Sequence, residues 1–385
     1  MRDAVIVQAV RTPIGKGKPG GALAGVHPVE LLAHTLRTLV ERSGVDPALV
    51  DDVIGGTVDQ VGEQAMNTTR YAWLSAGSPD SVPAVTVDRQ CGSSQQAVHF
   101  AAQGVIAGAY DLVVACGVES MSRVPMWSNV PPGKDPFGPG VAGRFPGGLV
   151  PQGVSAELIA AKWSLGREQM DTFSAASHAK AAAADFTGEL APIAGLAHDE
   201  SVRPATTTEI LAGLKPAFAD PGYAERFPQI GWSVTAGNSS PINDGAAALL
   251  ITTSENAARL GLRPLARLHS FAVTGSDPLL MLTGVIPATD KVLRRAGLRL
   301  DDIDLFEVNE AFASVVLAWQ QETGADPAKV NVKGGAIALG HPLGASGARI
   351  MTTLVGAMRE RGARYALQTM CEAGGLANAT ILEAL

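Results

Sequence analysis

The strongest constraint on this chain is that it nearly repeats itself at a distance too long for stacked small repeats. TLRTLVERSGVDPALVDDVIGG (residues 35–56) and TDKVLRRAGLRLDDIDLFEVNE (residues 289–310) each run through a helical pattern, a small turn, a paired Asp and an apolar strand. The pairs Asp51, Asp52 and Asp301, Asp302 stand 250 residues apart. Solenoid units recur every ~20–50 residues, so this period points to duplication of a whole domain. Arg70 precedes Cys91 by 21 residues and Arg349 precedes Cys371 by 22, which suggests one Cys from each half.

The local pattern fits an α/β chain. Strand-like runs DAVIVQAV (residues 3–10), DDVIGGTV (51–58), AVTVDRQC (84–91) and DLVVACGV (111–118) alternate with helical patterns over 28–44 and 93–108, each ending on Gly. Residues 124–153 are crowded with Pro and Gly and read as loop, followed by amphipathic stretches over 155–165 and 167–186. The stretch 119–241 is expected to be an insertion that covers one face of the duplicated core. With 385 residues there is ample length for both halves.

Thirty basic against thirty-seven acidic side chains leave a net charge of −7 with no dense Lys/Arg block, so nucleic acid is not an expected partner. The longest apolar stretch, 97–116, is broken by His99, Gln103 and Asp111, which leaves no expected membrane span. The short apolar run before Arg11 is unlike a secretory leader, and a cytoplasmic location is the expectation. Three cysteines, Cys91, Cys116 and Cys371, have neither disulfide-framework nor metal-ligand spacing and read as reduced thiols.

Cys91, in VDRQCGSSQQAV, stands where a strand gives way to a helix. Unpaired N–H groups and the helix dipole favour thiolate there, so a lowered thiol pKa is expected. His341, in NVKGGAIALGHPLGASGAR, is one imidazole among five glycines, a frame that lets backbone approach a ligand closely. The run matches neither the Walker phosphate loop nor the dinucleotide fingerprint. Cys371, in LQTMCEAGGLANATIL, is a second thiol at a strand end. Two thiols and an imidazole suit covalent acyl transfer, one sulfur carrying the acyl group while the other moves protons. Asn309 and Glu310, in FEVNEAFAS, are either site residues or a helix cap followed by a solvated carboxylate.

These segments resemble the thiolase family. The resemblance runs from VRTPIGK through VDRQCGSSQQA, CGVESMSRVP, TAGNSSPINDGAAA, NEAFAS and GGAIALGHPLGASGAR to CEAGG, nearly the whole chain. It implies two βαβαβαββ halves in five α/β/α/β/α layers with an inserted loop domain. The implied boundaries are 1–118 plus 242–265 for the first half, 119–241 for the insertion and 266–385 for the second half. The implied reaction is CoA-dependent thiolytic cleavage of a 3-ketoacyl-CoA, or the reverse Claisen condensation. Cys91 inherits the role of acylated nucleophile, His341 its activation and Cys371 acid/base work. His341 and a water held by Asn309 would form one oxyanion hole, and the N–H groups of Cys91 and Ala373 a second. Ser240, Lys215, Met281 and Phe312 would meet substrate or CoA. CoA is a substrate, no bound cofactor or metal is implied, and a homodimer or homotetramer is expected.

Two departures bear on the pocket. The family motif C-x-G-G-G-x-G becomes Cys371, Glu372, Ala373, Gly374, Gly375, Leu376, Ala377, and Ala narrows the backbone freedom of position 373. Short-chain relatives carry His-Met before G-x-x-A-E where this chain has Pro151 and Gln152, and a small Gly where it has Leu282. Acyl groups longer or bulkier than acetyl are therefore expected. The competing readings are a non-catalytic thiolase-like protein that binds acyl-CoA or sterol for a partner, and a ketoacyl-synthase-type condensing enzyme, which would lack the equivalent of Cys371.

Overall fold

The computed structural model describes residues 2–385. Ten strands form among them: β1 (Val5–Arg11), β2 (Gly15–Lys16), β3 (Asp52–Gly56), β4 (Ala84–Val87), β5 (Leu112–Ser120), β6 (Asn243–Thr252), β7 (Ala266–Gly275), β8 (Leu305–Val308), β9 (Tyr365–Glu372) and β10 (Leu376–Glu383). The strand order is β4-β3-β5-β6-β1 in one half and β7-β10-β9-β8 in the other. The halves meet edge to edge through the pairs Val5–Arg267 and Ile6–Ala266.

The same directions recur in both. β3 runs parallel to β5 as β8 does to β9, while β5/β6 and β6/β1 are antiparallel like β9/β10 and β10/β7. The counterpart of β4 has shrunk to one parallel bridge, Phe306–Val330.

The duplication is real, but its register is 253 and not the 250 of the Asp pairs. Helix-ending Gly44 and Gly297, both left-handed, are 253 apart, as are the helix starts Ser93 and Ser346. Asp51 and Asp304 share that offset and one task. The Asp51 carboxylate accepts from the N–H groups of Asp111 and Leu112, and that of Asp304 from Arg364 and Tyr365, in each case at the start of the next strand. In this register Cys91 matches Gly344, and Cys371, on β9, matches Val118 on β5. The two cysteines are therefore not repeat partners. The similar Arg-to-Cys spacing compared a residue before the central helix with one after it.

Helices Pro28–Ser43 and Thr68–Ser75 cover the outer face of the first half-sheet, and Val285–Ala296 and Ala313–Thr323 that of the second. Between the sheets lie Ser93–Ala107 and Ser346–Arg361, in contact with each other, which completes five layers. Small residues Ala97, Ala101, Ala102, Ala348 and Ala357 of this central pair are fully or almost fully buried and let the helices close on one another. Helices Gln152–Lys162 and Arg167–Ala183, within the stretch 119–241, pack on Ala313–Thr323, so that stretch leans on the second half. No helix among the described residues is long and apolar enough to cross a membrane.

The strand expected over 84–91 stops at Val87. Asp88 turns the chain by accepting the Gln90 N–H at 2.6 Å, and Gln90 takes a left-handed φ of 48° that costs a non-Gly residue about 1 kcal/mol.

Candidate active site

The duplication itself builds the site. In the 253-residue register the turn before Ser93 and the loop before Ser346 are equivalent, so the N-termini of both central helices arrive at one place, carrying Cys91 and His341. The junction is tight. Ser94 Oγ accepts from Ala348 N at 2.9 Å, and a methyl group on Gly117 would overlap both Gly344 O and Ser94 Cβ.

The Cys91 turn is closed by Gly92 N–H donating to Arg89 O at 3.1 Å and Ser93 N–H to Gln90 O at 3.0 Å. Cys91 is buried and packs with Val58, Met121, Leu343, Ile350 and Met370. The expected low thiol pKa is not what this state has. Burial, then the neighbouring Cys371 and Glu372, push the Cys91 thiol well above its ordinary value, outweighing its own backbone and a hydrogen bond from Gln152. A buried thiol without a compensating cation stays protonated, so ionisation needs a base at hand.

His341 is held in a fixed tautomer. Ser346 Oγ donates to Pro342 O at 2.8 Å, so it accepts from His341 Nδ1–H at 2.6 Å, which leaves Nε2 with a free lone pair. Asn309 Nδ2 approaches that Nε2 at 3.5 Å, and the Asn309 amide also hydrogen-bonds the Cys371 thiol. Burial and the charge of Arg349 pull the imidazole pKa down to about 3, so it is neutral in this state. The loop is held from two sides. Asn243 Oδ1 accepts from His341 N at 3.1 Å, while Asn243 Nδ2 donates to Gly15 O and Ser201 Oγ. Glu119, at the end of β5, accepts from the N–H groups of Val58, Asp59 and Gly344, binding the β3 end to the His341 loop.

Cys371 is fully buried, and burial, reinforced by Glu372, pushes its thiol up to about 12. Ala373 opens the turn to β10 with a negative φ, and the two left-handed positions fall on Gly374 and Gly375. Ala thus costs nothing at 373, and its N–H remains a donor. Cys116 lies in the middle of β5, buried, its thiol raised by burial alone.

Of the remaining expected residues, Met281 and Phe312 share one apolar cluster with Cys371, and Ser240 N–H donates to Ala311 O at 2.9 Å beside Phe312. Lys215 is exposed and joins no salt bridge among the described residues. Three residues on, Phe218 fills the space above Gly153 and meets Phe312 edge to face at 5.9 Å. Glu310 is neither solvated nor behind an Asn309 cap. It is buried, accepting from Ser177 Oγ at 2.7 Å, Asn331 Nδ2 at 2.9 Å and Ile337 N at 3.2 Å, and the next helix begins only at Ala313. Ser346, Asn243 and Glu119 were not singled out from sequence as site residues, and Gln152 only as a departure in the pocket. Ser346, five residues after His341 in a Gly-rich loop, is the one whose spacing could have signalled its role.

Comparison with known proteins agrees along the full length. The thiolase N-terminal domain family matches residues 4–255 and the thiolase C-terminal domain family residues 262–384. The steroid 3-ketoacyl-CoA thiolase of Mycobacterium tuberculosis is 47% identical, with 100% of this chain and 95% of that protein covered. The 3-ketoacyl-CoA thiolase of Citrobacter koseri is 43% identical, with 100% and 99% covered. Human mitochondrial 3-ketoacyl-CoA thiolase, solved in complex with CoA, superposes with a TM-score of 0.88 at 35% identity, covering 100% of this chain and 98% of that one.

Proposed function

The chain belongs to the thiolase family, and on that basis we propose that it is an acyltransferase cleaving 3-ketoacyl-CoA with CoA through an acyl-Cys91 intermediate, the thiolytic step of β-oxidation-type lipid metabolism. The observation that carries the residue roles is the chain of contacts from Cys91 to Cys371, Asn309 and His341 at the meeting of two helix N-termini.

His341 Nε2 takes the Cys91 proton, and the sulfur attacks the 3-keto carbonyl. The C2–C3 bond breaks, and the leaving acetyl-CoA carbanion takes a proton from Cys371. Cys371 thiolate then takes the proton of incoming CoA, whose sulfur attacks the acyl-Cys91 carbonyl. Cys91 leaves with the proton held on His341, which restores the resting enzyme. His341 with a water on Asn309 serves one oxyanion, and the N–H groups of Cys91 and Ala373 the other. Run backwards, the same steps give the Claisen condensation. Cys371 is the group a ketoacyl-synthase-type enzyme would lack, and an intact set of four speaks against a purely binding role.

The segment 119–241 serves as substrate cover, between halves 1–118 plus 242–265 and 266–385. Supporting this, Trp127 N–H donates to Asp59 beside Val58, which packs on Cys91. Ser240, Met281 and Phe312 line the acyl side, and Lys215 meets CoA phosphate. The acyl group is longer or bulkier than acetyl. Leu282 is buried among core residues, and the cover exposes Met126, Trp127, Phe137, Ile210 and Leu214. The steroid-named relative fits the same reading. A homodimer or homotetramer is favoured by exposed Met66, Tyr71, Leu74, Val85 and Phe100 on the elements around the free β4 edge. Cys91 and Cys371 must both persist as thiols, which favours a reducing compartment such as the cytoplasm.

Incubation with a 3-ketoacyl-CoA in the absence of free CoA tests the centre of this reading. The acyl mass should sit on the peptide containing Cys91; finding it on Cys116 or Cys371 overturns the assignment.

A further inference from the structure

Glu372 has no part in the steps above, yet it lies against the nucleophile. It is the last residue of β9 and fully buried; neither carboxyl oxygen makes a well-formed hydrogen bond, and the backbone donor turned toward it is the Asn378 N–H. Alternation along the strand turns it away from the Cys371 face and onto the face of Met370 and Asn378. Met370 packs on Cys91. The Glu372 carboxyl and the Asn378 amide occupy the space that a side chain at position 92 would need, so the carboxyl is wedged under the residue that follows Cys91. The charged and titratable groups facing it are Arg89 and Asp88 from the turn and the two thiols, and Arg89 makes no ion pair with it.

Burial outweighs the charge of Arg89 and the Asn378 N–H, so the group is held neutral. Burial accordingly pushes its pKa well above the ordinary carboxyl range. Two negative charges cannot both form cheaply at such separation in a dry site.

We propose that Glu372 is a positioning residue for the nucleophile: as an uncharged acid it fills the space under Gly92 and leaves Cys91 free to ionise, and as a carboxylate it suppresses the Cys91 thiolate. The inference rests on the reading of Cys91 as nucleophile, and it means that Cys91 ionises at a higher pH with Glu372 present than without it. No proton passes through Glu372 during turnover.

The test is the pH dependence of Cys91 alkylation by iodoacetamide, in which thiolate displaces iodide, followed by mass on the Cys91 peptide. It compares the wild type with Glu372→Gln, which keeps the shape, and Glu372→Leu, which keeps the apolar volume. Removing the ionisable group should lower the alkylation midpoint by about one pH unit, or roughly tenfold more thiolate at a given pH below it. The rising limb of kcat/KM should move downward in pH in the same variants. An unchanged midpoint in either folded variant, with kcat lowered equally at every pH, is the behaviour of packing alone and overturns the proposal. Alkylation is read without turnover. A failure of substrate to acylate Cys91 would therefore be separable from a failure of Glu372 to control its ionisation.

Discussion

At the scale of single residues, the site depends on hydrogen bonds that fix protons in place. Ser346 decides which His341 nitrogen is bare, because its own proton goes to Pro342 O and its lone pair must then take Nδ1–H. Ser346→Ala leaves that N–H buried without a partner, at a cost of about 1–3 kcal/mol, and frees the ring to turn. The expected outcome is a fall in kcat of roughly 10–100-fold with little change in KM for CoA, measured by loss of the ketoacyl thioester. Retention of full kcat would show that the tautomer is held by other means.

At the scale of elements, the His341 loop and the end of β3 are one unit, tied by Glu119. Burial pushes that carboxyl up to about 7, the backbone donors pulling the other way. Gly344 passes so close that a Cβ there would meet Thr57 Cα at 2.7 Å and Glu119 Oε2 at 2.8 Å. The obstacle is backbone, which cannot swing aside. Gly344→Ala is expected to destabilise by about 1–3 kcal/mol, as overpacking does, and to lower kcat because the loop carrying His341 is displaced. Denaturant unfolding and kcat measured together check this, and a variant as stable and active as wild type would show that the junction has slack.

At the scale of the molecule, buried titratable groups tie stability to pH. His99, buried between the sheets with Nε2 2.8 Å from Thr380 Oγ1, has its pKa pulled down by burial to about 3. The unfolded chain binds a proton there below about pH 6.5 while the native one does not, so stability falls as pH drops from about 6.5 toward 3. Each such group contributes a slope of about 1.4 kcal/mol per pH unit. His341 adds a second. His99→Gln should make the acid limb of unfolding free energy shallower by about one proton, and an unchanged slope would refute the linkage. Specificity constants across C4 to C16 3-ketoacyl-CoAs should rise beyond C4 in graded steps of about 1–3 kcal/mol per methylene at most, and a maximum at C4 would contradict the larger pocket. Light scattering at micromolar protein should give at least twice the 39.6 kDa chain mass; a monomer would mean that the apolar rim of β4 has another use.

The sequence by itself determined the α/β class and the duplication, and it is the source of the proposed site residues. Strand and helix periods are local, and Cys91, His341, Cys371 and Asn309 stand in short segments whose residue types are legible without coordinates. Three-dimensional packing decided the rest. The repeat register was set by structural equivalences such as Asp51 and Asp304, which perform one capping task in equivalent places while Asp301, the partner of Asp51 in the sequence reading, does not. The Cys91 thiol is raised where local helix electrostatics would lower it, because Cys371 and Glu372, some 280 residues away in sequence, bury it and oppose its charge. Dehydration and long-range contact are properties of a closed interior, and no window of sequence contains them.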